Sequence, residues 1–288
     1  MEGPCLPRDR RVNDAASVET WSGKDRQDEN FPVGSWLIHS KVRPHVHAFY
    51  GFARNADDIA DSPALSPEDK VARLDRMEDV LLGHSDSGSP SALRLRESLT
   101  ETGVTSRHAC ELLIAFRRDA VKQRYATIDE LDDYCRYSAA PVGRHVLDLH
   151  GEGHRTYAPS DALCQALQIL NHMQDCVQDL RTLDRCYIPE TLFTEFGCTV
   201  ADLQRPAASN GMRRVFDSLL HRVDHMTRLA AHLPKQTQNR RLRLETAVIV
   251  GLAMQLAARL KNEDPIAGRV RLKKIDVAAS MLYALHLL

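Results

Sequence analysis

Aromatic side chains are scarce in this sequence: Phe, Trp and Tyr together make up 6% of its 288 residues. Sheets draw heavily on such residues, and no Asn-Gly turn stands between alternating apolar runs, so an all-β architecture is excluded. No run of about 18 apolar residues occurs, which excludes a membrane-spanning helix. The opening residues are polar and lack the apolar core of a signal peptide. Seven cysteines are present, and none forms a CxxC pair. A disulfide framework and a zinc site are therefore not expected, and a reducing cytosol fits. Net charge is −1, with 38 basic residues spread along the chain. No overall field draws the protein onto nucleic acid or anionic lipid. No GxGxxG follows a strand, so no nicotinamide cofactor (NADPH) is expected.

Apolar residues make up 43% and charged residues 27%, the balance of a globular protein with a sizeable core. Residues 1–27, rich in charge and small polar groups, read as a mobile tail. From residue 28 to 288 the apolar spacing is helical, with turn residues between the periodic stretches. Helices are expected from about 40 or 43 to 60, from 67 to about 82, and over 91–101, 106–123, 128–150, 159–182, 211–232, 239–262 and 274–287. The fold class is all-α, a single domain of eight or nine helices.

Two acidic clusters stand out. Asp57 and Asp61 are four apart, one helical turn above each other, with Arg54 and Tyr50 on the same face. Asp58 points about a quarter turn away. Asp175 and Asp179 repeat the arrangement, preceded by Gln168 and Asn171. Like charges four apart destabilise a helix by a few tenths of a kcal/mol, and apolar neighbours make their burial harder still. A divalent cation resolves the conflict. Magnesium takes oxygen ligands, retains water, and is commonly completed by substrate phosphates. One such pair is ordinarily a solvated acidic face. Two, each behind a matching polar stripe, point to a diphosphate clamp.

The segments FYGFARNADDIAD (49–61), YCRYSAAPVG (134–143), QILNHMQDCVQDL (168–180) and RCYIP (185–189) resemble the squalene/phytoene synthase family over roughly residues 28–275. Within it, DENFPVGSWLI (28–38) and SAAPVGR (138–144) resemble the bacterial hydroxysqualene synthase branch of the hopanoid pathway. The resemblance implies an isoprenoid-synthase helical fold around a central cavity. It implies two or three magnesium ions held by Asp57, Asp61, Asp175 and Asp179. It also implies catalytic roles for Arg54 and Tyr134, and substrate contacts from Tyr50, Gln168, Asn171, Arg185, Tyr187 and Phe31. The reaction implied is presqualene diphosphate plus water giving hydroxysqualene and diphosphate, with a presqualene diphosphate synthase and a hydroxysqualene dehydroxylase as functional neighbours. No nucleic-acid partner is expected. The implied state is a monomer or homodimer, cytoplasmic, with peripheral membrane contact.

Three departures from the family pattern bear on this. The interval from Asp179 to Arg185 is one residue longer than usual. Asn30 stands where relatives that condense two farnesyl diphosphates carry Ser. Pro141 replaces a Thr and should kink its helix.

Other residues have plainer readings. His45 and His47 diverge on a helix and read as ordinary surface or capping groups. His172 lies one position off the second stripe, Trp36 reads as a core residue, and Cys135 and Cys176 as buried small hydrophobes. Arg269, Arg271, Lys273 and Lys274 read as a solvated face, although the resemblance allows a diphosphate contact there. The literal DDxxD at 57–61 also suits chain-elongating prenyltransferases, but Cys176 interrupts the second copy they require. A farnesyl-condensing presqualene or phytoene synthase is the nearest rival. A non-catalytic assembly protein would be expected to lose some of the four aspartates, and all four are present.

Either Asp57→Ala or Asp175→Ala should abolish turnover while far-UV helicity stays intact. Activity retained in both variants would remove the acidic clamp from the argument.

Overall fold

Five helices in this chain begin where the sequence supplies a hydroxyl or amide cap, two of them with a proline just inside. Ser66, Ser89, Thr127, Ser209 and Asn239 each accept a hydrogen bond from a backbone N–H in the first turn of the helix that follows. Helices end as predictably: Gly83 and Gly103 take left-handed φ of 82° and 71° after α2 and α3. The computed structural model describes residues 17–19 and 39–287. The expected tail lies outside the described residues except for 17–19, as do Asn30, Phe31 and Trp36. Residues 17–19 are docked, because the Glu19 carboxylate accepts from the Ser91 N–H and from the Ser89 and Ser91 hydroxyls at the start of α3.

Twelve α-helices occur among the described residues. They are α1 (Arg43–Asp61), α2 (Pro67–Leu82), α3 (Pro90–Thr102), α4 (Arg107–Val121), α5 (Ile128–Ser138), α6 (Ala140–Leu149), α7 (Tyr157–Leu183), α8 (Glu190–Glu195), α9 (Asn210–Ala230), α10 (Leu233–Gln236), α11 (Arg240–Asn262) and α12 (Lys274–Leu287). No strand is present among them, only an isolated bridge between Arg124 and Cys186. That bridge lays 184–188 beside 123–126 and so brings Tyr187 against Tyr125.

The helix expected over 128–150 is two helices. Pro141 lies in the first turn of α6, where its missing N–H costs nothing, and Ala139 breaks the helical path at φ −122°, ψ −50°. Two short elements, α8 and α10, are absent from the sequence expectation. Neither is long enough to show a period.

Packing falls into two main clusters. One is built from α1–α4, around Phe52, Ile59, Leu74, Met77, Leu95 and Leu113. The other spans α5 to α11, around Leu131, Ile169, Met173, Phe216, Val250 and Leu256. The cavity described below is lined from both, by α1 and α4 on one side and α5, α6, α7 and α11 on the other. Helix α6 lies unusually close on α7. A Cβ added at Gly143 would come within 2.4 Å of the Ser160 hydroxyl and 2.7 Å of the Cys164 sulfur. The six described cysteines are all free thiols, and Cys135 and Cys176 are buried.

Phe52 is fully buried in the first cluster. Phe52→Ala should cost about 3–5 kcal/mol in urea denaturation. A loss below about 1 kcal/mol would mean that α1 is not held by this packing.

Candidate active site

Helix α1 fixes the first acidic pair. Its apolar face, with Phe49, Phe52, Ala56 and Ile59, is buried, which turns Tyr50, Arg54, Asp57 and Asp61 towards a cavity of about 500 Å³. Arg54 bridges two carboxylates, 2.9 Å to Asp57 and 2.7 Å to Asp58. Asp58 is thus a partner of Arg54 rather than a third group at the cavity. Gln168 and Asp179 of α7 line the same cavity, as do Tyr134 at the end of α5 and Arg185 and Tyr187 beyond α7.

The extra residue between Asp179 and Arg185 does not carry Arg185 away. Asp184 takes a left-handed φ of 49°, closing α7, and the chain reverses. Asp184 is held there by Arg124, whose guanidinium donates to its side chain at 2.6 Å and to its carbonyl. Arg185, 3% exposed, then reaches into the interior. It donates to Asp61 at 2.7 Å, to the Tyr187 hydroxyl at 3.1 Å and to the Asp119 carbonyl at 2.8 Å.

Asp119 on α4 is the functional-site residue that sequence reading missed. It is buried, and its carboxylate accepts from the Tyr134 hydroxyl at 2.6 Å and the Tyr187 hydroxyl at 2.9 Å. Burial pushes its pKa up to about 6, against the opposing effects of Arg185 and the two phenols. The available signal was a carboxylate on the apolar stripe of α4, in register with Leu112 and Ala115. Burial alone would lower the pKa of Arg185. Tyr187, Asp119 and Asp61 outweigh it and keep the guanidinium charged.

Aromatic rings cover this network. Tyr187 stacks on His172 with ring centres 3.7 Å apart, and Tyr134 and Tyr125 pack edge-on or tilted at 5.0–5.9 Å. His172, off the polar stripe in sequence, lines the cavity. Burial, aided by Arg185, pushes its pKa down to about 3, so it is neutral. His145 lines the wall farther along, stacked on Phe49 at 3.9 Å, and burial likewise holds it down to about 3. The rest of the lining is largely apolar, with Val46, Leu163, Leu167 and Ile249 among its members.

Two sequence-derived residues stand differently. Asn171 and Asp175 are not among the lining residues. Asp175 is gripped from outside by Arg269, with contacts of 2.6 and 3.0 Å. Arg269, expected on a solvated face, is therefore an ion-pair partner of the second acidic pair.

No group of three or more His, Cys, Asp or Glu side chains among the described residues stands close enough to hold a metal ion alone. The donor set nevertheless fits a hard dication shared with an anionic ligand. Each helix offers oxygen donors in pairs, which leaves coordination positions for water and phosphate. Asp57 carries the physical mark of such a place. Burial, reinforced by the Asp61 charge, pushes its pKa up to about 8 against the pull of Arg54. Arg54 alone does not offset these effects, and a further cation there would favour the ionised form.

The squalene/phytoene synthase family profile matches residues 24–276. The chain is 44% identical over 261 residues to a hydroxysqualene synthase of Rhodopseudomonas palustris, covering 91% of this chain and 89% of that protein. It is 42% identical over 283 residues to a hydroxysqualene synthase of Zymomonas mobilis, covering 96% and 95%. Among solved structures, a squalene synthase from Alicyclobacillus acidocaldarius aligns with a TM-score of 0.71 and 31% identity, covering 81% of this chain and 88% of that one. A dehydrosqualene synthase in complex with ligand aligns with a TM-score of 0.74 at 18% identity, covering 90% and 91%, a likeness of fold alone.

The Asp57 shift has a measurable sign. A free aspartate ionises near 3.8, whereas folded Asp57 keeps its proton to about 8. Through that interval the folded chain binds a proton that the unfolded chain has released, so stability falls as pH rises. In EDTA, the thermal midpoint of the native protein should drop between about pH 5 and pH 8 relative to Asp57→Asn. Magnesium with diphosphate should restore it. Parallel profiles for the two proteins would show that Asp57 ionises normally.

Proposed function

This chain belongs to the squalene/phytoene synthase family, and on that premise we propose that it is a hydroxysqualene synthase. Presqualene diphosphate loses diphosphate, the cyclopropylcarbinyl cation rearranges, and water adds to give hydroxysqualene with release of one proton. The observation that carries the reading is the distribution of charge around one cavity: most carboxylates and both guanidinium groups gather with the phenols, and the remaining wall is largely apolar, with Glu245 and Thr246 of α11 as polar exceptions. A substrate with one diphosphate and a long hydrocarbon matches that division.

The proposed ligands for magnesium are Asp57, Asp61, Asp175 and Asp179. When bound, the metal shields the diphosphate and stabilises charge on the departing oxygen. Asp175, held by Arg269, would serve as a ligand once that guanidinium lets go. Arg54 and Arg185 add fixed positive charge on the leaving-group side, and Arg185 stays charged because its partners are buried with it. Asp119 orients the phenols of Tyr134 and Tyr187 by accepting from both. Their ring faces, with Tyr50, suit a carbocation, at roughly 0.5–2 kcal/mol per face. His172 and His145, neutral at working pH, do not repel that cation. Gln168 and Asn171 are proposed to act on the same end of the substrate. The apolar wall keeps stray water out, so the cation survives long enough to rearrange. Phe31 belongs to the proposal on the resemblance alone.

Purified protein given presqualene diphosphate and magnesium, with no nicotinamide added, should form hydroxysqualene. With farnesyl diphosphate alone it should form no condensation product. Squalene as the sole product, or condensation of farnesyl diphosphate, would replace this reading with that of another branch of the family.

A further inference from the structure

Helix α12 is inside out. Its buried positions, Asp276, Ser280 and Ala284, recur every four residues and are small or polar. Its large apolar residues face outward: Ile275 is 72% exposed, Leu282 70% and Leu285 67%, with Val277 and Met281 at 40% each. At 100° per residue these five, with Lys274 and Ala278, fill one continuous face.

The orientation is enforced. Asp276 is bound by the Arg259 guanidinium and accepts from the Lys273 N–H. The Ser280 edge lies against Gly251 of α11, where an added Cβ would come within 2.9 Å of the Ser280 Cβ. Rotating α12 to hide its leucines would leave Arg259 with Glu263 alone and push a bulky side chain into the Gly251 contact. The exposed face is therefore a built surface and not a loosely packed end.

What covers it is indicated by charge. Arg269, Arg271, Lys273 and Lys274 are all exposed and lead directly into the helix. Positive side chains at a helix N-terminus oppose the macrodipole, an arrangement that nearby external anions relieve. Arg269 is paired with Asp175, and Arg271, Lys273 and Lys274 face outward beside the leucines, where an anionic surface answers them and an apolar subunit face does not. At 14 residues, about 21 Å, the helix is too short to cross a bilayer, and no described helix is long and apolar enough to do so. An apolar face beside a basic cluster on a short helix suits the plane of the headgroups.

We propose that α12 and the basic run before it form a membrane-docking surface for anionic lipid bilayers. The leucine face sinks to the acyl boundary while Arg271, Lys273 and Lys274 meet lipid phosphates. Net charge of −1 conceals this local patch. Arg269, at the start of the run, also holds Asp175, so the docked surface begins beside the second acidic pair. The inference stands on this surface alone and does not depend on which isoprenoid diphosphate the cavity takes.

The test is sedimentation of the full chain with phosphatidylcholine vesicles, with and without phosphatidylglycerol. The native protein should pellet with the anionic vesicles, less so as salt is raised. The double variant Lys273→Gln/Lys274→Gln should partition about 30-fold more weakly, from a factor of about five per lysine. Leu282→Ser/Leu285→Ser should lose binding. Both variants should keep far-UV helicity, thermal midpoint and turnover of detergent-dispersed substrate. Failure of the native protein to pellet would overturn the inference, as would equal binding by both variants. So would a dimer of the native protein that the leucine variant converts to monomer, because the face would then be a subunit contact.

Discussion

A buried guanidinium holds the site together. Arg185 links Asp61 on α1, the Asp119 carbonyl on α4 and Tyr187 beyond α7, joining both packing clusters at the cavity. Burying a charge is tolerable only when its hydrogen-bonding capacity is met. Here three partners accept from it, the Asp119 carboxylate stands 3.9 Å from its Nε, and each partner is itself fixed by a helix or by another member of the network. The same interactions keep the guanidinium ionised, so that positive charge is already in place before any substrate arrives. Pre-placed charge need not reorganise during reaction, which is the source of its catalytic value.

The two acidic pairs show how far helical periodicity reaches. Asp57 and Asp61 were legible because four-residue spacing on a helix is a local property, and α1 presents them with Arg54 and Tyr50 as that spacing demands. Most helix boundaries were legible for the same reason, since Ser66, Thr127, Asn239, Gly83 and Gly103 act within a few residues of themselves. Long-range pairings were not legible. Asp119 sits 66 residues before Arg185, and Arg269 sits 94 residues after Asp175. Nothing local in the sequence announces either contact. The break at Ala139 was half legible: Pro141 signalled a disturbance, and the structure resolves it as two helices rather than one bent one. Helix α12 was legible over its full length, Lys274–Leu287, but its orientation was not, because its packed face is small and polar and the usual apolar stripe points outward.

Opposing demands meet along the cavity. A diphosphate requires concentrated charge, whereas a carbocation requires dry, weakly nucleophilic walls. The fold separates the two by element. Most carboxylates and the arginines come from α1, α4, α7 and the reversal at Asp184, while much of the apolar wall comes from α6, α7 and α11, with Glu245 of α11 the exception. Neutral histidines and phenols occupy the transition between them. They offer polar atoms and ring faces with no net charge, and burial is what keeps His145 and His172 uncharged there.

Gly143 belongs to that wall and also to the seam between α6 and α7, where Ser160 and Cys164 leave no room for a side chain. The bore of the chamber at that point is consequently set by the Gly143 backbone resting on the Ser160 and Cys164 side chains. Side-chain exchange elsewhere trims the lining alone, but here it acts on a helix seam. A lineage that enlarges this residue must turn those two side chains aside or part the helices, and either one alters the contour that the hydrocarbon tail meets.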